Sequence, residues 1–217
     1  MCGRFSLTVN EAELNERFHL SGGIEPYAAR YNCAPTQALA VITNSGNCKL
    51  SYMRWGLIPS WAKDVKIGAK MINARAETIR EKASFRAAFS RRRCLVPATS
   101  FFEWKQEKVK IPYVIRLVGG ELFCMAGIWE EWKNPEGIFV KSFAIVTTEA
   151  NETMQALHHR MPVILSKQNE NVWLSELPQD ELSKLLQPWP DERLELFPVS
   201  NLVNSPLNEI PEVLLPV

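Results

Sequence analysis

Residues 94–148 constrain the fold most, because they read as a nearly unbroken series of β-strands. Runs rich in Val, Ile, Phe, Tyr and Trp are separated by short polar or glycine-containing segments, a pattern typical of antiparallel neighbours. Val118-Gly119-Gly120-Glu121 is typical of a tight hairpin between two of these strands. The predicted strands are Cys94–Ala98, Phe101–Lys105, Pro112–Val118, Leu122–Trp129 and Val140–Thr148.

The flanking segments add helices and a few more strands. Thr8 and Glu11 have the spacing of a capping box, which predicts a helix over residues 8–20 that Ser21-Gly22-Gly23 ends. The segment from Arg30 to Pro35 is turn-rich. Further predictions are a hairpin of Ala38–Thr43 and Leu50–Trp55 closed by Asn44–Asn47, helices at Ser84–Phe89, Glu149–Leu157 and twice within 168–187, and a last strand at Leu194–Val199.

Strands therefore dominate the centre of the chain and helices lie on either side. We expect a single α+β domain over residues 1–217, with a curved or barrel-like, mostly antiparallel β-sheet core and flanking helices. A length of 217 residues and a hydrophobic content of 46 % are sufficient for a sizeable core. No apolar stretch is long enough to span a membrane and no signal peptide is evident, so we expect a cytoplasmic protein, nucleoid-associated if bacterial.

Charge is segregated along the chain although the net charge is only +1. Residues 54–116 contain 15 Lys and Arg against 5 Asp and Glu, which makes this window +10 and the remainder −9. Such segregation predicts one basic face that meets a polyanion, and chance clustering on a solvated surface is the alternative. Arg91, Arg92 and Arg93 fit a phosphate-binding patch or a solvated turn equally well.

An irregular loop with two tryptophans lies within this basic window. Gly56 and Pro59 disfavour a regular element in Trp55-Gly56-Leu57-Ile58-Pro59-Ser60-Trp61, and Lys63, Lys66 and Lys70 follow it. Aromatic rings stack on unpaired bases while lysines follow the phosphates, so the loop suits single-stranded nucleic acid. The alternative for each tryptophan is a place in the core.

The N-terminal sequence Met1-Cys2-Gly3-Arg4-Phe5 has a distinctive chemistry. A small second residue usually permits removal of the initiator Met, which leaves a free α-amine and a thiol on adjacent carbons of Cys2. Such a 1,2-aminothiol condenses with an aldehyde to a Schiff base and then closes a thiazolidine ring. Both nucleophilic forms are accessible near neutral pH, since the amine titrates near ~8 and a free thiol near ~8.5. The alternative is an ordinary cysteine at a frayed terminus.

Two further positions carry titratable groups in suggestive settings. Glu103 stands among aromatic residues in Phe101-Phe102-Glu103-Trp104, where an apolar environment favours a general acid or base. A solvent-facing residue paired with Lys105 is the alternative. His158 and His159 are adjacent and lack the helical spacing of a metal pair, so a proton shuttle is the better interpretation. The five cysteines form no CxxC pair, which disfavours a zinc site and a disulfide framework.

Taken together, the motifs resemble those of the SOS-response-associated peptidase (SRAP) family, over nearly the full length of the chain. Each motif is weak alone, but their common order makes the resemblance specific. They are Met1-Cys2-Gly3-Arg4, Asn32-x-Ala34-Pro35, Trp55-Gly56-Leu57-x-Pro59-x-Trp61, Asn73-Ala74-Arg75-x-Glu77, Phe102-Glu103-Trp104, His158-x-Arg160-x-Pro162 and Val199-Ser200.

The resemblance implies that the protein shields abasic sites in single-stranded DNA through a thiazolidine crosslink to Cys2, with autoproteolytic or aminopeptidase removal of Met1. It implies that Asn73 positions the amine or thiol of Cys2, that Glu103 moves protons, and that His158 opens the sugar ring. The register against Arg160 and Pro162 favours His158 over His159. The implied DNA contacts are Arg4, Asn32, Pro35, Trp61, Arg75 and Arg160.

The same resemblance implies no cofactor and no metal. The expected partner is single-stranded DNA that contains abasic sites, bound by a monomer, with the replication machinery as a further candidate partner. Two other functions stay open. One is a cysteine peptidase built from Cys2, His158 and Asn73, which needs the thiol but no free α-amine. The other is a non-enzymatic single-strand binder, for which Cys2 is dispensable.

Overall fold

The computed structural model describes residues 2–20, 27–44 and 50–217. In these ranges thirteen strands form two sheets, and five α-helices lie beside them. The strands are β1 Phe5–Leu7, β2 Arg30–Cys33, β3 Ala38–Thr43, β4 Leu50–Trp55, β5 Asn73–Arg75, β6 Arg93–Ala98, β7 Ser100–Lys105, β8 Ile111–Leu117, β9 Phe123–Lys133, β10 Phe139–Glu149, β11 Arg160–Pro162, β12 Ile164–Leu165 and β13 Leu194–Pro198. The helices are α1 Glu11–Phe18, α2 Arg86–Arg91, α3 Glu152–Gln155, α4 Lys167–Leu174 and α5 Gln179–Ser183.

Five strands close into a barrel. Their order is β10-β4-β3-β6-β9, and β9 pairs again with β10, so the ring has no open edge. β5 and β11 pair with β10, and β12 pairs with β9. The pairings of β10 with β4 and β5 are parallel, while the others in this sheet are antiparallel. The prediction of an α+β fold with a barrel-like, mostly antiparallel core is confirmed.

The second sheet fixes the position of the N-terminus. Its order is β13-β8-β7-β1-β2, with antiparallel pairs throughout. Phe5 of β1 pairs with Phe101 of β7, and the backbone N–H of Phe102 donates to the carbonyl of Arg4 at 2.9 Å. Because antiparallel strands run in opposite directions, the residues before β1 lie alongside the second half of β7, which contains Glu103.

Successive residues of the barrel strands pack on opposite faces, as the pleat requires. On β6, Val96 packs in the cluster that includes the second sheet, whereas Leu95 packs in the cluster that includes Leu14 of α1 and Trp173 of α4. Both faces of the barrel wall are therefore covered. This explains why its strands read as nearly continuous hydrophobic runs rather than as strict alternation.

Two segments differ from the sequence predictions. The turn at Gly119 and Gly120, whose φ values are +85° and +70°, does not close a hairpin, because β8 lies in the second sheet and β9 in the barrel. The turn instead carries the chain from one sheet to the other. The turn-rich segment after Arg30 contains a strand, β2, at the edge of the second sheet.

The first helix begins later than predicted. Asn10 is its N-cap, and a capping box joins Asn10 to Glu13 at 3.0 and 2.8 Å. Thr8 is instead hydrogen-bonded to Thr99 at 3.0 Å. Helix α3 is shorter than predicted, at Glu152–Gln155. The predicted helix stop at residues 21–23 and most of the predicted loop at 44–47 lie outside the described residues.

Candidate active site

Cys2 lies three residues before the start of β1, and its side chain is buried, with only 1 % exposed. The thiol donates to the carbonyl oxygen of Arg4, 3.8 Å from Sγ. Burial, followed by the negative charge of Glu103, raises the pKa of the Cys2 thiol to about 12. The thiol is therefore protonated near neutral pH, and chemistry at sulfur requires a destination for its proton.

Asn73 is the first residue of β5, which β10 holds through parallel pairing. Its side-chain Nδ2 donates to the carbonyl oxygen of Cys2 at 2.9 Å. The Oδ1 atom of the same amide is buried and has no hydrogen-bond partner among the described residues. A buried polar atom without a partner costs about 1–3 kcal/mol. Oδ1 thus offers an unused acceptor beside Cys2.

Glu103 lies on β7 and is 5 % exposed. Its side chain is therefore not solvent-facing, and among the described residues Lys105 pairs with Glu107, at 2.8 Å. Burial has the largest influence on the pKa values of the Cys2 thiol and the His158 imidazole. The negative charge of Glu103 is the next influence on both groups, and it favours the protonated form of each. One buried carboxylate therefore couples a thiol and an imidazole.

His158 lies just before β11 with its ring partly buried. The backbone N–H of Arg160 donates to His158 Nδ1 at 3.0 Å. Because Nδ1 accepts this bond, the neutral ring carries its proton on Nε2. Burial lowers the pKa of His158, and the charge of Glu103 partly opposes that effect. His158 is thus a neutral imidazole over much of the physiological range, with an N–H donor at Nε2.

The structure brings Cys2, Asn73, Glu103 and His158 together, although they are far apart in the chain. This is the clustering that the sequence analysis expected. The set combines a nucleophile with a protonated thiol, an amide that holds the nucleophile's carbonyl, a buried carboxylate and a neutral imidazole. Such a set can move protons around a carbon that Cys2 attacks.

Arg4 and Asn32 are hydrogen-bonded to each other, but Asn32 is buried whereas Arg4 is partly exposed. Arg4 Nη1 donates to Asn32 Oδ1 at 2.7 Å and to the carbonyl of Val203 at 2.9 Å. Asn32 is fully buried, and its Nδ2 donates to the carbonyls of Ser205 and Asn208 at 2.9 and 3.1 Å. In this structure Asn32 has no solvent-exposed surface, and its contact with DNA stays a prediction. Asn32 holds the guanidinium of Arg4, which is partly exposed.

The guanidinium of Arg160 is also hydrogen-bonded within the protein. It is 6 % exposed, and its two Nη atoms donate to the Glu77 carboxylate at 2.7 and 3.0 Å. Nη2 also donates to the carbonyl of Thr147 at 2.7 Å. In this arrangement a phosphate reaches Arg160 only by displacing Glu77, so the predicted contact with DNA is not preformed. The sequence analysis gave Glu77 no role, although it lies in the motif that includes Arg75.

The two tryptophans of the predicted DNA-binding loop have opposite environments. Trp55 is the last residue of β4 and is fully buried, with its indole N–H donating to the carbonyl of Ile72 at 2.9 Å. Trp61 is 57 % exposed. The core alternative therefore holds for Trp55, and Trp61 is available to a ligand.

The loop that carries Trp61 is fastened to the barrel. The indole N–H of Trp132 on β9 donates to the carbonyl of Ala62 at 2.7 Å, and the backbone N–H of Ile58 donates to the hydroxyl of Ser142 at 2.8 Å. Trp132 is 5 % exposed. These bonds hold the loop on both sides of Trp61. Trp132 was missed from the sequence, because its partner is 70 residues away.

Gly56 makes the start of this loop feasible. Its φ is +120°, a conformation that other residues rarely adopt. A Cβ atom at Gly56 would lie 2.5 Å from the carbonyl oxygen of Gly68, so the two backbone segments meet only because both residues are glycines. The close approach brings the segment with Lys66 and Lys70 beside the loop.

The exposed cations are distributed unevenly along the basic window. Arg92 pairs with Glu130 at 2.6 Å, and Arg93 is 1 % exposed, with its guanidinium donating to backbone carbonyls. The three consecutive arginines therefore form no phosphate patch. Exposed cations of this window include Lys63, Lys66, Lys70, Arg75 and Arg91.

The described residues contain no group of three or more His, Cys, Asp and Glu side chains arranged to hold a metal ion. Their four cysteines, Cys2, Cys33, Cys94 and Cys124, are free thiols. No helix in the same part of the chain is both long and apolar enough to cross a membrane.

This fold and this N-terminal site define a class of proteins to which other sequences also belong. The family model described as "SOS response associated peptidase (SRAP)" matches residues 1–206, and the chain belongs to that family. It is 47 % identical to the abasic site processing protein YoqW of Bacillus subtilis, over 99 % of each chain. It is 31 % identical to the abasic site processing protein HMCES of Gallus gallus, over 100 % of this chain and 78 % of the relative.

A solved structure supports the fold. The crystal structure of a protein from Bacteroides thetaiotaomicron superposes with a TM-score of 0.91 at 30 % identity, and covers 100 % of both chains. The barrel, the second sheet and the placement of the N-terminus against β7 are therefore features of a known architecture.

Proposed function

We propose that this protein recognises abasic sites in single-stranded DNA and traps their open-chain aldehyde as a thiazolidine on Cys2. The observation that carries the proposal is the gathering of Asn73, Glu103 and His158 around an N-terminal cysteine. Relatives covering 99 % of the chain are named abasic site processing proteins, which supports the same substrate. We also propose that the protein acts as a monomer. Contact with the replication machinery is a separate proposal.

The first step is hydrolysis of the Met1–Cys2 peptide bond, which consumes one water and frees the α-amine of Cys2. The unused Oδ1 acceptor of Asn73 supports this assignment, because a new ammonium beside Cys2 can donate to it. An abasic site exists as a cyclic hemiacetal in equilibrium with its aldehyde. As the ring opens, the bond between the anomeric carbon and the ring oxygen breaks, and the proton of the anomeric hydroxyl ends on the former ring oxygen. The Nε2–H of His158 donates a hydrogen bond to that oxygen, and the aldehyde carbon is exposed to the amine.

The second step forms the crosslink. The α-amine adds to the aldehyde carbon, one water leaves, and a Schiff base results. The Cys2 sulfur then adds to the imine carbon, and the thiol proton passes to the imine nitrogen. Glu103 relays this proton, since its charge already acts on the thiol. Holding the aldehyde beside Cys2 replaces a slow encounter in solution by a reaction within one complex.

Recognition of the strand is assigned to the exposed part of the basic window. Trp61 offers a ring for an unpaired base, Arg75 and Arg4 offer guanidinium groups for phosphates, and Pro35 lies partly exposed in the turn after β2. Arg160 joins them only if a phosphate replaces Glu77. Such binding weakens steeply with salt, because each neutralised phosphate releases counterions.

Two observations disfavour a general cysteine peptidase. A peptidase nucleophile needs a lowered thiol pKa, whereas burial and Glu103 raise the pKa of Cys2 to about 12. In a Cys-His-Asn arrangement the Asn orients the His. Here Asn73 holds the carbonyl of Cys2, and the backbone of Arg160 holds the ring of His158. We therefore confine peptide hydrolysis to the Met1–Cys2 bond.

The test is intact-protein mass spectrometry after mixing with a single-stranded oligonucleotide that carries one abasic site. The expected adduct has the mass of the Met1-free protein plus the oligonucleotide minus one water. Cys2→Ser, an undamaged oligonucleotide and a protein acetylated at its α-amine are the controls, and none should form it. An adduct that survives acetylation refutes the thiazolidine. No adduct from a protein with a free Cys2 amine refutes the crosslinking function.

A further inference from the structure

The second histidine of the pair stands outside the mechanism above, yet it contacts the first. The rings of His158 and His159 stack with centroids 4.3 Å apart and planes 25° from parallel. His158 is partly buried and lies near Glu103, whereas His159 is exposed to solvent. One side of the His158 ring is therefore covered by an imidazole that can itself become charged.

The other groups around His158 differ in how they act on a positive charge on its ring. Glu103 contributes an attractive negative charge, and the Cys2 thiol, on which that charge also acts, is neutral. The positive charge of the N-terminus opposes a charge on His158 and has a larger influence than His159. The guanidinium of Arg160 is bound to Glu77 and adds no free charge, while its backbone N–H fixes His158 Nδ1. A second proton on Nδ1 displaces that N–H, but it has the carbonyl oxygen of Arg160, 3.4 Å from Nδ1, as an acceptor, and this bond favours the charged ring.

We propose that His159 is a positioning residue for His158, fixing the plane of its ring and opposing a positive charge on it. This role rests on the proposed function, in which His158 donates from Nε2 as a neutral imidazole. Two unit charges at the ring separation repel measurably even in water, and they are screened less beside a partly buried group. Burial has the largest influence in lowering the pKa of His158, and the positive charges of the N-terminus and then of His159 lower it further.

Titration of the imidazole protons by NMR tests the inference on the free protein. The chain has three histidines, so single variants assign every signal. His159→Phe keeps an aromatic ring on the stack but removes the charge, and His159→Gln removes both the ring and the charge. We expect the titration midpoint of His158 to rise by about half a pH unit in both variants.

The control is His19→Asn, at an exposed position that caps α1 in a left-handed conformation that asparagine tolerates. It should leave the His158 midpoint unchanged. An unchanged or lowered His158 midpoint in both His159 variants overturns the electrostatic role. If the His158 midpoint rises in both variants, and the His158 signal is broadened in His159→Gln but not in His159→Phe, then the stacked ring fixes the plane of the His158 ring. An equally sharp signal in both variants removes that part of the proposal.

The pH profile of crosslinking provides the second readout. At saturating abasic DNA, the midpoint controlled by His158 should move upward by the same amount as the NMR midpoint in both His159 variants. A merely structural role changes the rate at every pH and leaves the midpoint in place. If the NMR midpoint shifts but no crosslink forms with any variant or with the wild type, the proposed function fails while the coupling between the rings stands.

Discussion

Substituting Trp132 by Phe is the sharpest test of how Trp61 is presented to DNA. The substitution removes the 2.7 Å hydrogen bond to the carbonyl of Ala62 while keeping an aromatic ring at a position that is 5 % exposed. A carbonyl that loses its buried partner costs about 1–3 kcal/mol. If the loop then loses its order, and binding has to restore it, a cost of about 1.4 kcal/mol raises the Kd about tenfold.

The assay is fluorescence anisotropy with a labelled single strand carrying a reduced abasic analogue, which has no aldehyde and cannot crosslink. Trp129→Phe is the matched control, because Trp129 lies on the same strand and its buried indole N–H has no partner among the described residues. Trp129→Phe should leave the Kd unchanged. In a cycle with Trp61→Ala, the double variant should bind like Trp61→Ala alone, since Trp132 acts through Trp61.

Two results refute this reasoning. One is a Trp132→Phe protein that melts a few degrees lower, as about 1 kcal/mol predicts for a chain of this size, but binds the strand as tightly as wild type. The other is an equal loss of affinity in Trp129→Phe. Either result makes Trp132 a core residue with no part in recognition.

Two further predictions concern the site. Arg75→Ala should weaken DNA binding and reduce the slope of log affinity against log salt by about one, without changing the rate at which Cys2 is alkylated; anisotropy titrations at several salt concentrations measure the slope. Asn73→Leu should slow crosslinking at saturating DNA with little change in Kd, because Asn73 holds the Cys2 carbonyl; single-turnover gels measure this rate, and an unchanged rate refutes the assignment.

The strands β6, β9 and β10 of the barrel were predictable because most of each strand is covered on both faces and reads as a hydrophobic run. The sequence predicted β9 and β10 within a few residues of their bounds. It was wrong about the connection between β8 and β9, because the pairing of a strand depends on tertiary contacts. Gly119 and Gly120 have the local signature of a hairpin, but β8 and β9 find different partners. β2 was missed because its sequence is polar and it lies at a sheet edge.

The site was predictable only through the order of its motifs. Residue types alone left Glu103 open to an exposed pairing, and only the structure shows the side chain buried. Asn32 illustrates the converse, since a polar residue predicted to contact DNA is a buried support for Arg4. The partner of Arg160 was equally hidden, because Glu77 lies 83 residues earlier in the chain.

The raised pKa of the Cys2 thiol constrains the order of the proposed steps. A thiolate would attack the aldehyde before the amine did, giving an adduct that readily reverses. Burial and Glu103 favour the protonated thiol in the chain that retains Met1. We propose that they do so after its removal, which leaves the first attack to the amine. Ring closure then needs no net loss of a proton, because the hydrogen that leaves sulfur ends on the thiazolidine nitrogen. A neutral thiol beside a buried carboxylate is therefore suited to the final step, although it is poorly suited to attack a peptide bond.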